Sequence, residues 1–272
     1  MKKVIAIGDF DNIRSQEVRF LQEASYLGEL TVLLWSDSLF EIRKNRQAKF
    51  PENERKYFIE SLRFVQHVMV IDDLSNPIDT PEFIDKRPEI WAVAEQDISP
   101  LDEEYCKKNG ILYSVIPDAK LSELPIMPFT LDVNGANSKV IVSGSFDWLH
   151  TGHIRFFEET SQLGDLYVVV GHDKNLELLK GAGHPLFPEN ERLYMVQCIR
   201  FVHQALISTG HGWLDADPEI KRIKPNIYVV NEDGDVPEKQ KYCHEHNLRY
   251  QVLKRKPKPG LIARQSTDLR GF

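Results

Sequence analysis

A stretch of sequence that occurs twice limits what this chain can fold into. Phe50-Pro51-Glu52-Asn53-Glu54-Arg55 returns as Phe187-Pro188-Glu189-Asn190-Glu191-Arg192, and ten of sixteen positions are identical between 50–65 and 187–202. Upstream the spacing is 136: Gly8, Phe10 and Asp11 match Gly144, Phe146 and Asp147, and Leu27-Gly28 matches Leu163-Gly164. Downstream it is 137, pairing Pro88 with Pro225, Tyr105-Cys106 with Tyr242-Cys243, and Tyr113 with Tyr250. One register shift over so long a span is the mark of a duplicated unit, and an internal repeat fixes the architecture before any single element is read.

The 272 residues therefore divide into a first copy over 1–118, a linker over 119–138 and a second copy over 139–272. Pro117, Pro125, Pro128 and Gly135 with few periodic apolar positions give the linker its character. A 42 % hydrophobic content is enough for packed cores and excludes a disordered chain. No apolar run is long enough for a membrane span, and the start does not read as a secretory signal. Three scattered cysteines without a CxxC suit a reducing cytoplasm better than disulfides or zinc. The net charge of −7 argues against general nucleic-acid binding while leaving room for a local basic patch.

Each copy alternates strand and helix signals. In the second, Val140–Val142, Leu166–Val170, Ile227–Val230 and Tyr250–Leu253 read as buried-type strands, with a helix from about Asn190 carrying Leu193, Val196, Ile199 and Val202. That alternation predicts an α/β fold, two tandem parallel sheets with helices on both faces. Ligands then bind beyond the carboxyl ends of the strands. Composition points to the second copy, which holds eight of nine histidines and eleven of fifteen glycines after residue 139.

The loop after the first of these strands reads Gly144-Ser145-Phe146-Asp147-Trp148-Leu149-His150-Thr151-Gly152-His153. Gly144 permits a tight turn, and Gly152 removes a side chain where phosphates could approach the backbone. His150 and His153 are three apart at a helix start, so their rings can share one face. A helix N-terminus attracts anions, and two imidazoles there can donate to a phosphoryl group as its charge builds. Either histidine alone reads as a satisfied surface residue, and a zinc pair lacks a third ligand at suitable spacing.

The whole string resembles the G-x-F-D-x-x-H-x-G-H signature of the cytidylyltransferase-like nucleotidylyltransferases. That family includes the glycerol-3-phosphate, phosphocholine and phosphoethanolamine cytidylyltransferases and the heptose-phosphate adenylyltransferases. The resemblance implies two tandem Rossmann-like nucleotidylyltransferase domains. It implies that His150, His153 and Lys180 are catalytic, and that Gly144, Phe146, Asp147, Gly152, Asp173, Arg192, Asp233, Arg264, Ser266 and Thr267 bind the nucleotide. Arg264-Gln265-Ser266-Thr267 is similar to the family's terminal Ser-Thr motif for the outer phosphates, with the cations of 254–258 leading into it. Lys180 and Arg192 would neutralise phosphates. Trp213 falls where several relatives place an aromatic beside the acceptor. Asn231-Glu232-Asp233-Gly234 departs from the Gly-Asp-Asp-Trp of the glycerol-phosphate type, and only Asp233 can be matched.

The implied reaction is transfer of CMP from CTP, with Mg2+, to a phosphorylated small alcohol, giving a CDP-alcohol and pyrophosphate. An ATP-dependent adenylyltransferase acting on a sugar phosphate and a non-catalytic nucleotide-binding regulator are the competing readings. No dedicated carboxylate cage for a metal is evident. The first copy carries Arg14, Gln16 and Glu17 where the signature has His150, Gly152 and His153. A carboxylate there would repel a triphosphate. The first copy is therefore expected to be a pseudo-domain standing in for a second subunit, an intramolecular pseudo-dimer to which a further homodimer could be added.

Overall fold

The computed structural model describes residues 1–75, 77–78, 87–130, 137–266 and 269. The chain splits into two compact units, Met1–Leu124 and Pro125–Phe272. In the first, the order is β1 (Lys3–Gly8), α1 (Ser15–Ser25), β2 (Glu29–Trp35), α2 (Asp37–Lys44), α3 (Glu52–Glu60), β3 (His67–Ile71), β4 (Ile90–Ala94), α4 (Pro100–Asn109), β5 (Leu112–Ile116) and α5 (Asp118–Leu121). In the second it is β6 (Lys139–Gly144), α6 (Thr151–Ser161), β7 (Asp165–Val170), α7 (Asp173–Lys180), α8 (Glu189–Gln197), β8 (Gln204–Ile207), α9 (Asp217–Ile223), β9 (Ile227–Asn231), α10 (Pro237–Glu245) and β10 (Arg249–Leu253).

Both sheets have five parallel strands, ordered β3-β2-β1-β4-β5 and β10-β9-β6-β7-β8. Read from opposite ends these are the same order, so the sequence repeat is a repeat of topology. Strand interiors such as Leu166–Val170 are buried throughout, as a parallel sheet covered on both faces requires. In the second unit one face carries α9 and α10, whose Ile220, Ile223, Tyr242 and Cys243 join Ile141, Tyr167, Val169 and Tyr228 in a single cluster.

The recurring Leu-Gly dipeptide has a physical cause. Gly28 and Gly164 precede β2 and β7 at φ +158° and +150°, and a Cβ there would lie 2.2 and 2.0 Å from the carbonyl oxygens of Lys2 and Ser138. Only glycine lets the two chain segments cross so closely.

Within the 119–138 linker, residues on both sides of 124 make contacts to the unit they belong to. Leu121 is buried in the first unit, and the Arg19 side chain donates to the Glu123 carbonyl at 2.8 Å. Beyond the boundary, Met127 and Thr130 are hydrogen-bonded to the Gln197 and Gln204 side chains, and Phe129 packs on the second core. The third strand of that sheet in chain order, the edge strand β8, is a short segment that the sequence pattern does not reveal. The helix from Asn190 ends at Gln197, leaving Ile199 and Val202 in the turn that follows.

Candidate active site

In the second unit β6 lies between β7 and β9, where the chain's path across the sheet reverses direction, and the signature loop leaves its carboxyl end. Phe146 takes φ 46°, an uncommon conformation for a bulky side chain, and its counterpart Phe10 does the same. The Phe146 ring packs under Gly144 and meets His153 edge-on, with centroids 5.4 Å apart.

His150 caps α6. Its Nδ1 accepts from the Gly152 backbone N–H at 3.1 Å. In a neutral imidazole an accepting Nδ1 places the proton on Nε2. The ring is 3 % exposed and Nε2 has no partner within the protein, so a buried donor is left at the helix start. His153 stacks beside it with ring centroids 4.0 Å apart. Burial is the main reason that both rings stay neutral. It drives His150 far below the ordinary histidine range, with His153, Arg255 and Arg264 adding to the effect. His153 is pushed down to about 3 by burial, then by Arg255 and Lys180.

Gly152 makes room for the histidine ring and also lines both cavities described below. A Cβ at this position would sit 2.8 Å from His150 Cε1 and 3.0 Å from Nδ1, so the missing side chain is where the ring lies. Lys180 ends α7 and its Nζ meets Ser145 Oγ at 2.9 Å, within electrostatic reach of His153.

Three further positions turn inward. Arg192 is 1 % exposed, and its guanidinium donates to the carbonyls of Phe187, Ser145 and Gly171 and to Asp173 at 2.6–2.8 Å. It braces the ends of β6 and β7 against the start of α8, and the expectation that it neutralises phosphate gives way to that internal role. Asp173 holds this arginine, and its backbone N–H and that of Glu189 each donate to the other's carboxylate, at 2.8 and 3.2 Å. Asp147 accepts from the Leu186 and Phe187 N–H groups at 2.7 and 3.1 Å, ordering the approach to α8. The first copy repeats the brace: Arg55 donates to Phe50, Asp9, Trp35 and Asp37 at 2.6–2.9 Å.

A cavity of ≈ 180 Å³ opens beside these elements, lined by Ser145, His153, Asp233, Lys239 and Arg255 among others. A neighbouring one of ≈ 210 Å³ runs past Gly152, Arg255 and Arg264. Arg255 lines both. It donates to Asp233 at 2.7 Å and to the Arg264 carbonyl at 3.1 Å, which fixes its charge at the meeting point. Within the run 254–258 the sequence does not distinguish it from its neighbours. Nothing in the sequence marks Lys239 either, and burial lowers its pKa. Arg264 and the half-buried Ser266 lie along the terminal segment, whereas Thr267 falls outside the described residues. Trp213 is 52 % exposed on a short turn held by Asn175, whose amide group bonds the Gly212 N–H and carbonyl at 2.8 and 3.1 Å. Among the described residues no group of three His, Cys, Asp or Glu could hold a metal ion, and no helix is long and apolar enough to cross a membrane.

A sequence model described as cytidylyltransferase-like matches residues 141–257. The chain is 33 % identical over 120 residues to a FAD synthase of Methanocella paludicola, covering 43 % of this chain and 82 % of that one. With a FAD synthase of Methanospirillum hungatei JF-1 it is 35 % identical over 119 residues, 43 % of this chain and 72 % of the other. A lipopolysaccharide core biosynthesis protein from Thermoplasma volcanium GSS1, whose crystal structure is known, matches 45 % of this chain and 99 % of its own at 25 % identity and a TM-score of 0.38. The G-x-F-D-x-x-H-x-G-H string lies within the matched residues 141–257, and the Methanocella relative is matched over 82 % of its own length. The chain belongs to the cytidylyltransferase-like nucleotidylyltransferases.

Proposed function

We propose that the second copy, 139–272, transfers a nucleoside monophosphate to the phosphate of a small acceptor, and that the nucleotide is ATP and the acceptor a flavin mononucleotide. The buried Nε2–H of His150 carries the proposal. It is a donor held in one tautomer by the Gly152 N–H, at a helix N-terminus, with no partner within the fold. Such a donor suits a phosphoryl oxygen that gains charge in the transition state.

The choice of ATP and flavin mononucleotide rests on the relatives named FAD synthase. FAD is flavin mononucleotide joined to AMP through a pyrophosphate bridge. A phosphate oxygen of the acceptor attacks the α-phosphorus, the bond from that phosphorus to the bridging oxygen of the β-phosphate breaks, and pyrophosphate leaves. The attacking phosphate is already anionic, so no base is needed, and the chain contributes positioning and charge. His150 and His153 donate as neutral rings, and Lys180 and Arg255 supply the positive charge around the α- and β-phosphates. Arg264, Ser266 and Thr267 belong to the outer-phosphate end of the same reading. Mg2+ enters as part of the nucleoside triphosphate substrate, since the described residues offer no cage for it. The three buried free cysteines agree with a cytoplasmic setting. The first copy, over 1–118, stands in for a second subunit in this proposal.

A nucleotide-by-acceptor panel tests the reading by pyrophosphate release with Mg2+ present. ATP with flavin mononucleotide is expected to exceed CTP with glycerol 3-phosphate and ATP with a sugar phosphate by at least tenfold. A preference for CTP and a phosphorylated alcohol would return the cytidylyl assignment. Nucleotide binding without pyrophosphate release for any pair would make the chain a regulator.

A further inference from the structure

The two cavities of the second unit meet beside the signature helix. Gly152, Phe156, Asn231 and Arg255 line both, and beyond them the walls diverge. The ≈ 210 Å³ cavity continues along Lys254, Lys256 and Arg264, toward the end given to the outer phosphates. The ≈ 180 Å³ cavity continues to Ser145, His153 and Lys239. Displacement at phosphorus runs in line, with the entering oxygen and the leaving group on opposite sides of the phosphorus atom. If pyrophosphate leaves along the first cavity and the α-phosphorus sits at the junction, the entering phosphate comes from the second.

Lys239 lines the second cavity and not the first. It is half-buried, its Nζ donates to the Gly234 carbonyl at 3.0 Å, and among the described residues it forms no ion pair. The carboxylates around it have other partners. Asp233 accepts from Arg255 at 2.7 Å, Asp235 from Gln240 and Tyr250 at 2.8 and 2.9 Å, and Asp215 from Ser208 at 2.6 Å.

Local structure argues against a lysine here. Lys239 is the third residue of α10, and the first turn of a helix favours carboxylates and opposes cations. The matching helix of the first copy, α4, carries Asp102 at the same position. The fold therefore does not require the cation. Tyr242-Cys243 in the same helix recurs as Tyr105-Cys106, and the Arg192 brace recurs as Arg55, whereas Lys239 does not recur. A side chain that opposes its own helix, and is carried only by the copy with the signature, answers to a ligand. Burial lowers its pKa against the raising effect of the Asp233, Asp215 and Asp235 charges, a cost to the ammonium that a bound anion offsets.

We infer that Lys239 binds the phosphate of the acceptor, donating to one oxygen while another oxygen of that phosphate attacks the α-phosphorus and pyrophosphate leaves. The inference rests on the nucleotidyl-transfer reading of this site, but not on which nucleotide or acceptor is used.

Lys239→Gln in the full chain tests it by pyrophosphate release with Mg2+, each substrate being varied in turn. The substrates are ATP with flavin mononucleotide or, if another pair of the panel is faster, that pair. The acceptor KM should rise at least tenfold while the nucleotide KM is little changed. Flavin fluorescence gives a second readout when flavin mononucleotide is the acceptor: its binding should weaken at least tenfold, and that of riboflavin, which lacks the phosphate, should not change. Thermal unfolding should be no lower in the variant, because the lysine opposes its helix. The inference is overturned if the acceptor KM stays put, if the nucleotide KM rises as much, if riboflavin weakens in step with flavin mononucleotide, or if the variant unfolds at a lower temperature. No pyrophosphate from any pair with the unsubstituted chain would end the nucleotidyl-transfer reading and this inference with it, whereas release that Lys239→Gln leaves unaltered ends the inference alone.

Discussion

His150 and His153 are neutral because they are buried beside cations, and this makes a thermodynamic prediction. An unfolded histidine takes up a proton near pH 6.5, whereas His153 in the folded chain resists protonation down to about 3. Below pH 6.5 the unfolded state therefore binds more protons than the folded one, and stability falls as pH falls. The loss sets in at about pH 6.5 and continues to about pH 3. For His153 it should amount to about 1–2 kcal/mol at pH 5, from 1.36 kcal/mol per unit and allowing for the ring's partial exposure. Denaturant unfolding at pH 7.5 and 5.0 would measure it. The gap between the two should shrink in His153→Asn, and an unchanged gap would show that the ring is not held neutral. The histidines were visible in the sequence as a spaced pair. Their tautomer and Gly152's service to the ring were not, because both depend on a contact within one helical turn that spacing alone does not describe.

At the level of elements, much of each βα unit could be read from pattern. Continuous apolar runs such as Leu166–Val170 mark buried parallel strands, and the predicted ligand end of the sheet followed from them. Short β8, four residues with a single β-branched one in Gln204–Ile207, gave no comparable signal. Arg192 misled for a different reason: an arginine at a helix start beside a phosphate motif looks like an anion ligand. The recurrence of Arg55 in a copy without the motif already hinted at a structural duty. Both arginines hold the carboxyl ends of two strands to the first turn of a helix through buried carbonyls. Removing either leaves those acceptors unsatisfied, at about 1–3 kcal/mol each before relaxation. Arg55→Ala and Arg192→Ala should each destabilise their own unit by about 2–4 kcal/mol. Thermal unfolding would measure the effect. A loss of turnover in Arg192→Ala without loss of stability would instead restore the phosphate role.

The whole molecule was legible as a duplication, because a constant spacing survives where chemistry has diverged. Its boundary was less so: Pro and Gly suggested a loose connector, yet residues on either side of 124 are claimed by one unit or the other through side-chain hydrogen bonds. If the first copy substitutes for a subunit, removal of residues 1–120 should leave an insoluble or inactive protein. Size-exclusion and turnover measurements on that truncation would decide, and a fully active, monomeric 135–272 fragment would end the proposal. The fit of the His150 ring into the space above Gly152 bears on how such a copy drifts. A side chain at the glycine displaces the ring, and once the ring is gone the glycine is under no restraint. Arg14 and Gln16 in the first copy fit that order of events. Return would need Arg14, Gln16 and Glu17 all to change, so the loss works as a ratchet: a duplicate that passes this step does not regain its old ligand by a single substitution.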